Sequence, residues 1–149
     1  TDRLVEAIGS GRYDFIFVNF ANPDMVGHTG ILSAAITAIE TVDSCLGRLE
    51  KVIRDAGGAL LITADHGNAE TMINPETGDP MTSHTTNVVP VILTSTADAE
   101  CRIRDGRLAD VAPTLLELMG LDRPEQMTGR SLLVTSTSSE RRETETASA

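Results

Sequence analysis

Apolar residues recur between positions 31 and 56 at spacings of four and three, through Ala35, Ile39, Val42, Leu46, Leu49 and Ile53. That period draws one stripe along a long amphipathic helix, and Gly57-Gly58 supplies its stop. Shorter apolar runs flank it. Tyr13 to Phe20, Ala59 to Thr63 and Val88 to Leu93 each read as a strand, and polar residues begin abruptly after the first two. Pro90 in the third implies an edge position, a strand start or a bulge. A short helix carrying Leu4, Val5 and Ile8 is expected at the beginning, capped by Asp2 and ended by Gly9 and Gly11. A second is expected near 111–119, with Asp110 as cap, Pro113 in its first turn and Gly120 as stop.

The connection between the first two strand candidates is long enough for a helical right-handed crossover. The expected fold class is therefore α/β, a mainly parallel sheet flanked by helices. Asn74 to Pro80 is dense in turn formers and reads as a surface excursion. Glu100 to Arg104 is expected to pair locally through the Asp105-Gly106 turn. Residues 1–134 read as one domain piece. Beyond them Thr, Ser, Glu and Arg predominate, and 135–149 is expected to be a disordered tail.

Composition narrows the function classes. The 149 residues suit one domain, with an aliphatic core, since there are three Phe, one Tyr and no Trp. A net charge of -10 disfavours nucleic acid and anionic membrane as partners. A small anionic substrate remains compatible if metal ions supply positive charge. Cys45 and Cys101 stand in no framework spacing and read as reduced thiols of a cytoplasmic protein. The chain begins at Thr1 rather than Met, directly in a helical pattern, which is expected of a fragment, a cleaved product or a truncated chain.

All three histidines fall in loops next to strand candidates or polar turns rather than on a helix face. Asp24 and His28 are four apart after Pro23, so one helical turn puts both on the same face. Asp65 and His66 follow the strand Ala59 to Thr63, and Gly67 opens a loop in which both can turn toward one point. His84 lies in Ser83-His84-Thr85-Thr86-Asn87. Two carboxylates and three imidazoles form a mixed oxygen and nitrogen set that suits Zn or Mn, and five donors suit two ions. Two divalent ions carry four positive charges and these ligands offset two, so a further anionic group from outside this chain is expected.

At these residues the chain resembles the carboxyl-terminal part of the cofactor-independent (2,3-bisphosphoglycerate-independent) phosphoglycerate mutases of the alkaline phosphatase superfamily. The resemblance covers nearly all of residues 1–134. It is carried by Asn19 to Gly30, Thr63 to Glu70, Ser83 to Asn87 and Met127 to Leu132, with Asp110 to Leu116 shared more widely across the superfamily. It implies a binuclear site, usually of manganese with Zn or Co possible, in which Asp24, His28 and His84 hold one ion and Asp65 and His66 the other. It further implies isomerisation of 3-phosphoglycerate and 2-phosphoglycerate in glycolysis through a phosphoserine. By the same resemblance the nucleophilic serine, a further metal-binding Asp and the substrate-gripping arginines belong to an amino-terminal part. No catalytic nucleophile is thus expected here, and the isolated chain should be inactive.

Ser83 is better read as a loop hydroxyl bonding nearby backbone. Asn68 and Glu70 read equally as supports behind metal ligands or as turn caps, and Arg130 as a phosphate contact or a surface charge pair. Two alternatives compete with the mutase: another phosphohydrolase or mutase of the superfamily, and a non-catalytic metal-binding fragment.

Overall fold

The computed structural model describes residues 1–95 and 102–134. They fall into two compact units, Thr1–Ala97 and Asp98–Ala149. Cys101 and the tail expected at 135–149 lie outside the described residues.

In the first unit α1 (Asp2–Gly9), α2 (Asn22–Gly27) and α3 (Leu32–Asp55) precede β1 (Ala59–Thr63) and β2 (Val91–Ser95). The apolar stripe of α3 buries Ala35 and Leu49, while α1 and α2 both pack against this helix. Gly57 ends α3 at φ 73°, a backbone conformation that a Cβ disfavours. Its N–H donates to Arg54 O at 3.0 Å, and the N–H of Gly58 donates to Ile53 O at 3.0 Å, so orphan carbonyls of the last turn are satisfied. Asp2 does not cap α1, because it is the first helical residue. Its carboxylate instead meets Arg48 of α3 at 2.6 Å, which holds it below the usual carboxylate range.

The strands of this unit depart from expectation in two ways. Tyr13 to Phe20 forms no strand, and its Tyr13, Phe15 and Phe17 are exposed. An apolar run becomes a strand when its N–H and C=O groups find a neighbouring strand, and β1 takes β2 as its partner. That ladder is antiparallel, Thr63 opposite Val91 and Ala59 opposite Ser95, so the parallel pair expected from the crossover is absent among the described residues. β2 starts just after Pro90, whose missing N–H therefore costs the ladder nothing. The Pro90 carbonyl accepts from Thr63 Oγ1 at 2.9 Å.

Between β1 and β2 the chain makes a long excursion that closes on itself twice. Gly67 bridges Thr85, with Thr85 N–H donating to Gly67 O at 2.8 Å, and Ile73 bridges Pro80. Asn74 organises the tip. Its side-chain oxygen accepts the N–H of Glu76 at 2.9 Å, and its backbone exchanges bonds of 2.9 Å with Gly78 and Asp79.

The second unit holds β3 (Arg102–Ile103), a 3-10 turn at Leu108–Asp110, α4 (Val111–Leu118) and β4 (Leu133–Val134). The expected local hairpin is replaced by antiparallel pairing of β3 with β4, Ile103 opposite Leu133. Gly120, at φ 66°, ends α4 in the same manner as Gly57 ends α3. Asp110 precedes α4 as expected, yet its carboxylate does not cap that helix. It accepts the N–H groups of Arg130 at 2.7 Å and Arg107 at 3.0 Å, and these bonds hold it below the usual carboxylate range. Fully buried Thr114 takes its hydroxyl to Asp110 O at 2.7 Å and accepts the N–H of Leu132 at 2.8 Å.

Candidate metal centre

The site lies within the first unit. Pro23 starts α2, and Asp24 stands one turn before His28, the residue that closes the helix. Their side chains meet as the spacing requires, His28 Nε2 lying 3.3 Å from Asp24 Oδ1. His84 arrives from the far arm of the excursion, its Nε2 3.2 Å from Asp24 Oδ1 and 3.1 Å from His28 Nε2. Three donor atoms thus form a nearly equilateral triangle. Edges of 3.1 to 3.3 Å match ligands that each stand about 2.1 Å from one ion, since tetrahedral or octahedral geometry then separates neighbouring ligands by roughly 3.0–3.4 Å.

The protonation pattern agrees with that geometry. His28 Nδ1 approaches the Thr82 carbonyl at 2.6 Å, so this nitrogen must carry the hydrogen. In the neutral ring Nε2 is then a bare lone pair directed at Asp24 and His84. A backbone carbonyl that fixes the tautomer of a ligating imidazole in this way recurs at metal sites.

His66 joins from the β1 side. Its ring stacks on His84 with centroids 3.8 Å apart, and Asp24, His66 and His84 each offer a donor atom within 4.8 Å of the other two. Asp65 behaves differently: its side chain is 85% exposed, and its carboxylate lies 3.7 Å from His66 Nε2. Among the described residues the structure therefore gathers Asp24, His28, His66 and His84, with Asp65 at the rim. Ser83 is exposed in the loop beside His84, and Arg130 belongs to the second unit.

A layer of polar residues stands behind the donors. Asn68 is 5% exposed and donates its amide to Asp24 Oδ1 at 2.8 Å. Burial pushes the Asp24 carboxyl up, but the Asn68 bond and the imidazoles of His28, His84 and His66 outweigh it, leaving the group below the usual carboxylate range. The other amide atom, Asn68 Oδ1, is buried without a hydrogen-bond partner and rests against Gly27. A Cβ at Gly27 would sit 2.3 Å from it, so this glycine is needed for close approach. In the sequence Gly27 figures only as a member of the Asn19 to Gly30 motif, with no packing role legible, since the contact with Asn68 comes from far along the chain. Glu70 accepts the N–H of Asn68 at 2.6 Å, the hydroxyl of Thr85, and the amide of Asn87 at 2.9 Å. The Thr85 bond, opposed by burial, is the largest reason its carboxyl is also held low.

A carboxylate oxygen and imidazole nitrogens gathered at one place, 30% to 48% exposed and so reachable from solvent, are groups that suit a divalent cation. Comparison with known proteins agrees: residues 1–123 match the model of the metalloenzyme superfamily, and the chain belongs to that superfamily. Its relatives are more particular. It is 66% identical over 133 residues to the 2,3-bisphosphoglycerate-independent phosphoglycerate mutase of Cereibacter sphaeroides, and 61% identical over 133 residues to that of Syntrophotalea carbinolica. Each match covers 89% of this chain and 26% of the relative, so the chain spans about a quarter of the length of the proteins it resembles. A crystal structure of Leishmania mexicana phosphoglycerate mutase at low cobalt concentration superposes with a TM-score of 0.82 at 36% identity. That likeness covers 91% of this chain and 27% of the other, and it bears out the alkaline-phosphatase-like fold class.

Proposed function

We propose that this chain is the metal-ligand part of a 2,3-bisphosphoglycerate-independent phosphoglycerate mutase, which isomerises 3-phosphoglycerate and 2-phosphoglycerate in glycolysis in the cytoplasm. The observation that carries the reading is the triangle of Asp24 Oδ1, His28 Nε2 and His84 Nε2, in a chain 60% to 66% identical to mutases of that name. Asp24, His28 and His84 would hold one divalent ion, manganese first, with zinc or cobalt as alternatives. Asp65 and His66 would hold a second once the exposed Asp65 turns inward. Such ions would polarise phosphoryl oxygens and align the entering and leaving groups.

The chain's own residues set the stage for this. Thr82 O keeps the His28 proton on Nδ1, so Nε2 faces inward as an acceptor. Asn68 turns the Asp24 carboxylate toward the imidazoles. Ser83, exposed in its loop, is given no role in bond making, and the attacking hydroxyl is assigned to the amino-terminal part of the parent protein, as are the groups that grip glycerate. Proximity and a positioned nucleophile are both required for a phosphoenzyme mechanism.

An enolase-coupled assay with manganese and without bisphosphoglycerate tests the reading. The chain alone should show no turnover, and adding its amino-terminal complement, or using the intact parent, should restore it. Turnover by the chain alone would move the nucleophile into these residues, with Ser83 as the first suspect. Release of inorganic phosphate in place of isomerisation by the parent would favour a phosphohydrolase instead.

A further inference from the structure

Glu70 is not within the donor cluster, yet its carboxylate joins the two loops that carry His66 and His84. On its own side it accepts the N–H of Asn68 at 2.6 Å. From residues 15 and 17 positions later it accepts the Thr85 hydroxyl and the Asn87 amide, the latter at 2.9 Å. Asn87 also reaches Thr71 Oγ1 at 3.3 Å. A turn cap would need the first bond alone. The other two cross the excursion beside the Gly67–Thr85 bridge.

The packing leaves no slack at this point. A side chain on Gly67 would collide with both Thr85 Oγ1 and Glu70 Oε1, at 2.2 and 2.4 Å from its Cβ. Three donors also converge on one side chain, which suits an ionised carboxylate because it accepts at both oxygens and brings no hydrogen of its own. A glutamine there would point an NH2 group at either the Asn68 N–H or the Thr85 and Asn87 donors. One step further on, Asn68 holds Asp24 and Thr85 adjoins His84 by sequence.

We infer that Glu70 is a positioning residue: by tying Asn68 to Thr85 and Asn87 it sets the separation of His66 and His84 and the aim of Asp24, and so sets metal affinity. This rests on the proposed metal centre, and outer partners of ligands typically govern affinity by about 10- to 100-fold.

The full chain, its Glu70→Gln variant and its Thr85→Val variant would be titrated with manganese by calorimetry. Chemical unfolding and the imidazole NMR signals of the metal-free proteins would be recorded alongside. Glu70→Gln should weaken manganese binding by about tenfold or more and displace the His66 and His84 signals while the unfolding midpoint stays close to the parent's. Thr85→Val should act in the same direction, and the double variant should be little worse than Glu70→Gln, because both break one connection. Parent-like affinity and unmoved imidazole signals in Glu70→Gln would overturn the inference. Should that variant fail to fold, Thr85→Val decides by the same two readouts. If the unmodified chain itself binds no manganese, the metal-centre reading fails for this chain, and the imidazole signals still decide whether Glu70 positions the histidines.

Discussion

Asp24 in α2 and Asp110 just ahead of α4 are both held below the usual carboxylate range, but their oxygens meet different partners. Asp110 receives two backbone N–H groups, one of them from Arg130, twenty residues away. Asp24 receives one amide hydrogen from Asn68 and otherwise faces imidazole nitrogens of His28 and His84. A carboxylate whose lone pairs are taken up by backbone is part of the fold. One that faces imidazole nitrogens stands among groups able to ligate a cation. The two aspartates thus contrast a charge used by the fold with one that the proposed metal centre would use.

Substitutions should split along that line, and the largest effect belongs to the cluster. His84→Ala removes a corner of the triangle and the stacking partner of His66, so manganese affinity should fall by more than the 10- to 100-fold typical of outer partners. Calorimetric titration measures it, and unchanged affinity would remove His84 from the centre. Thr114→Val strips the acceptor from the buried Leu132 N–H. Stability should drop by about 1–3 kcal/mol in urea titrations while metal affinity stays level; a parallel loss of affinity would blur the distinction drawn from Asp110.

Gly27→Ala should come next. Its new methyl displaces Asn68 from Asp24, and affinity should decline by about tenfold with a smaller change in stability. The smallest effect expected is on pH dependence. Both aspartates have depressed values when folded, so the stability each contributes is fully present above 3.8, the ordinary aspartate value, and fades as pH falls through the folded value. Metal binding should weaken as well when the pH falls, because protons compete with the cation for the imidazole nitrogens. Urea titrations and manganese titrations across about pH 4 to 8 should therefore show affinity declining toward acid while the stability these aspartates contribute is kept. Coincident loss would mean that the cluster and the fold titrate as one.

What could be read from the sequence was local. α3 announced itself through the spacing of Ala35 to Ile53 and its glycine stop, β1 through an unbroken apolar run, and the Asp24–His28 pair through one turn of helix after Pro23. The errors concern partners distant in the chain. Tyr13 to Phe20 has strand composition, but composition does not supply a neighbouring strand. β3 pairs with β4 some thirty residues on, and Asp110 ignores its own helix for Arg130. Adjacency makes Asp65 and His66 read as one unit, and the structure shows the two apart in exposure, His66 30% and Asp65 85%, with 3.7 Å between them. Glu70 and Asn68 were visible as polar loop residues, and the excursion's folding back is what makes their bonds reach across.

The Ile73–Pro80 bridge makes the tip of that excursion a self-contained knuckle, with Asn74 holding Glu76, Gly78 and Asp79 inside it. The span that brings His84 to His66 is closed outside the knuckle, by Gly67 before it and Thr85 after it. Lengthening the tip between Glu76 and Thr77 would consequently change chain length without changing the distance between the histidines. Doubling a flexible loop costs about 0.6 kcal/mol, so the tip is an inexpensive place for length variation in descendants of this sequence, and an anchorage for a fluorophore that would report on the centre without entering it.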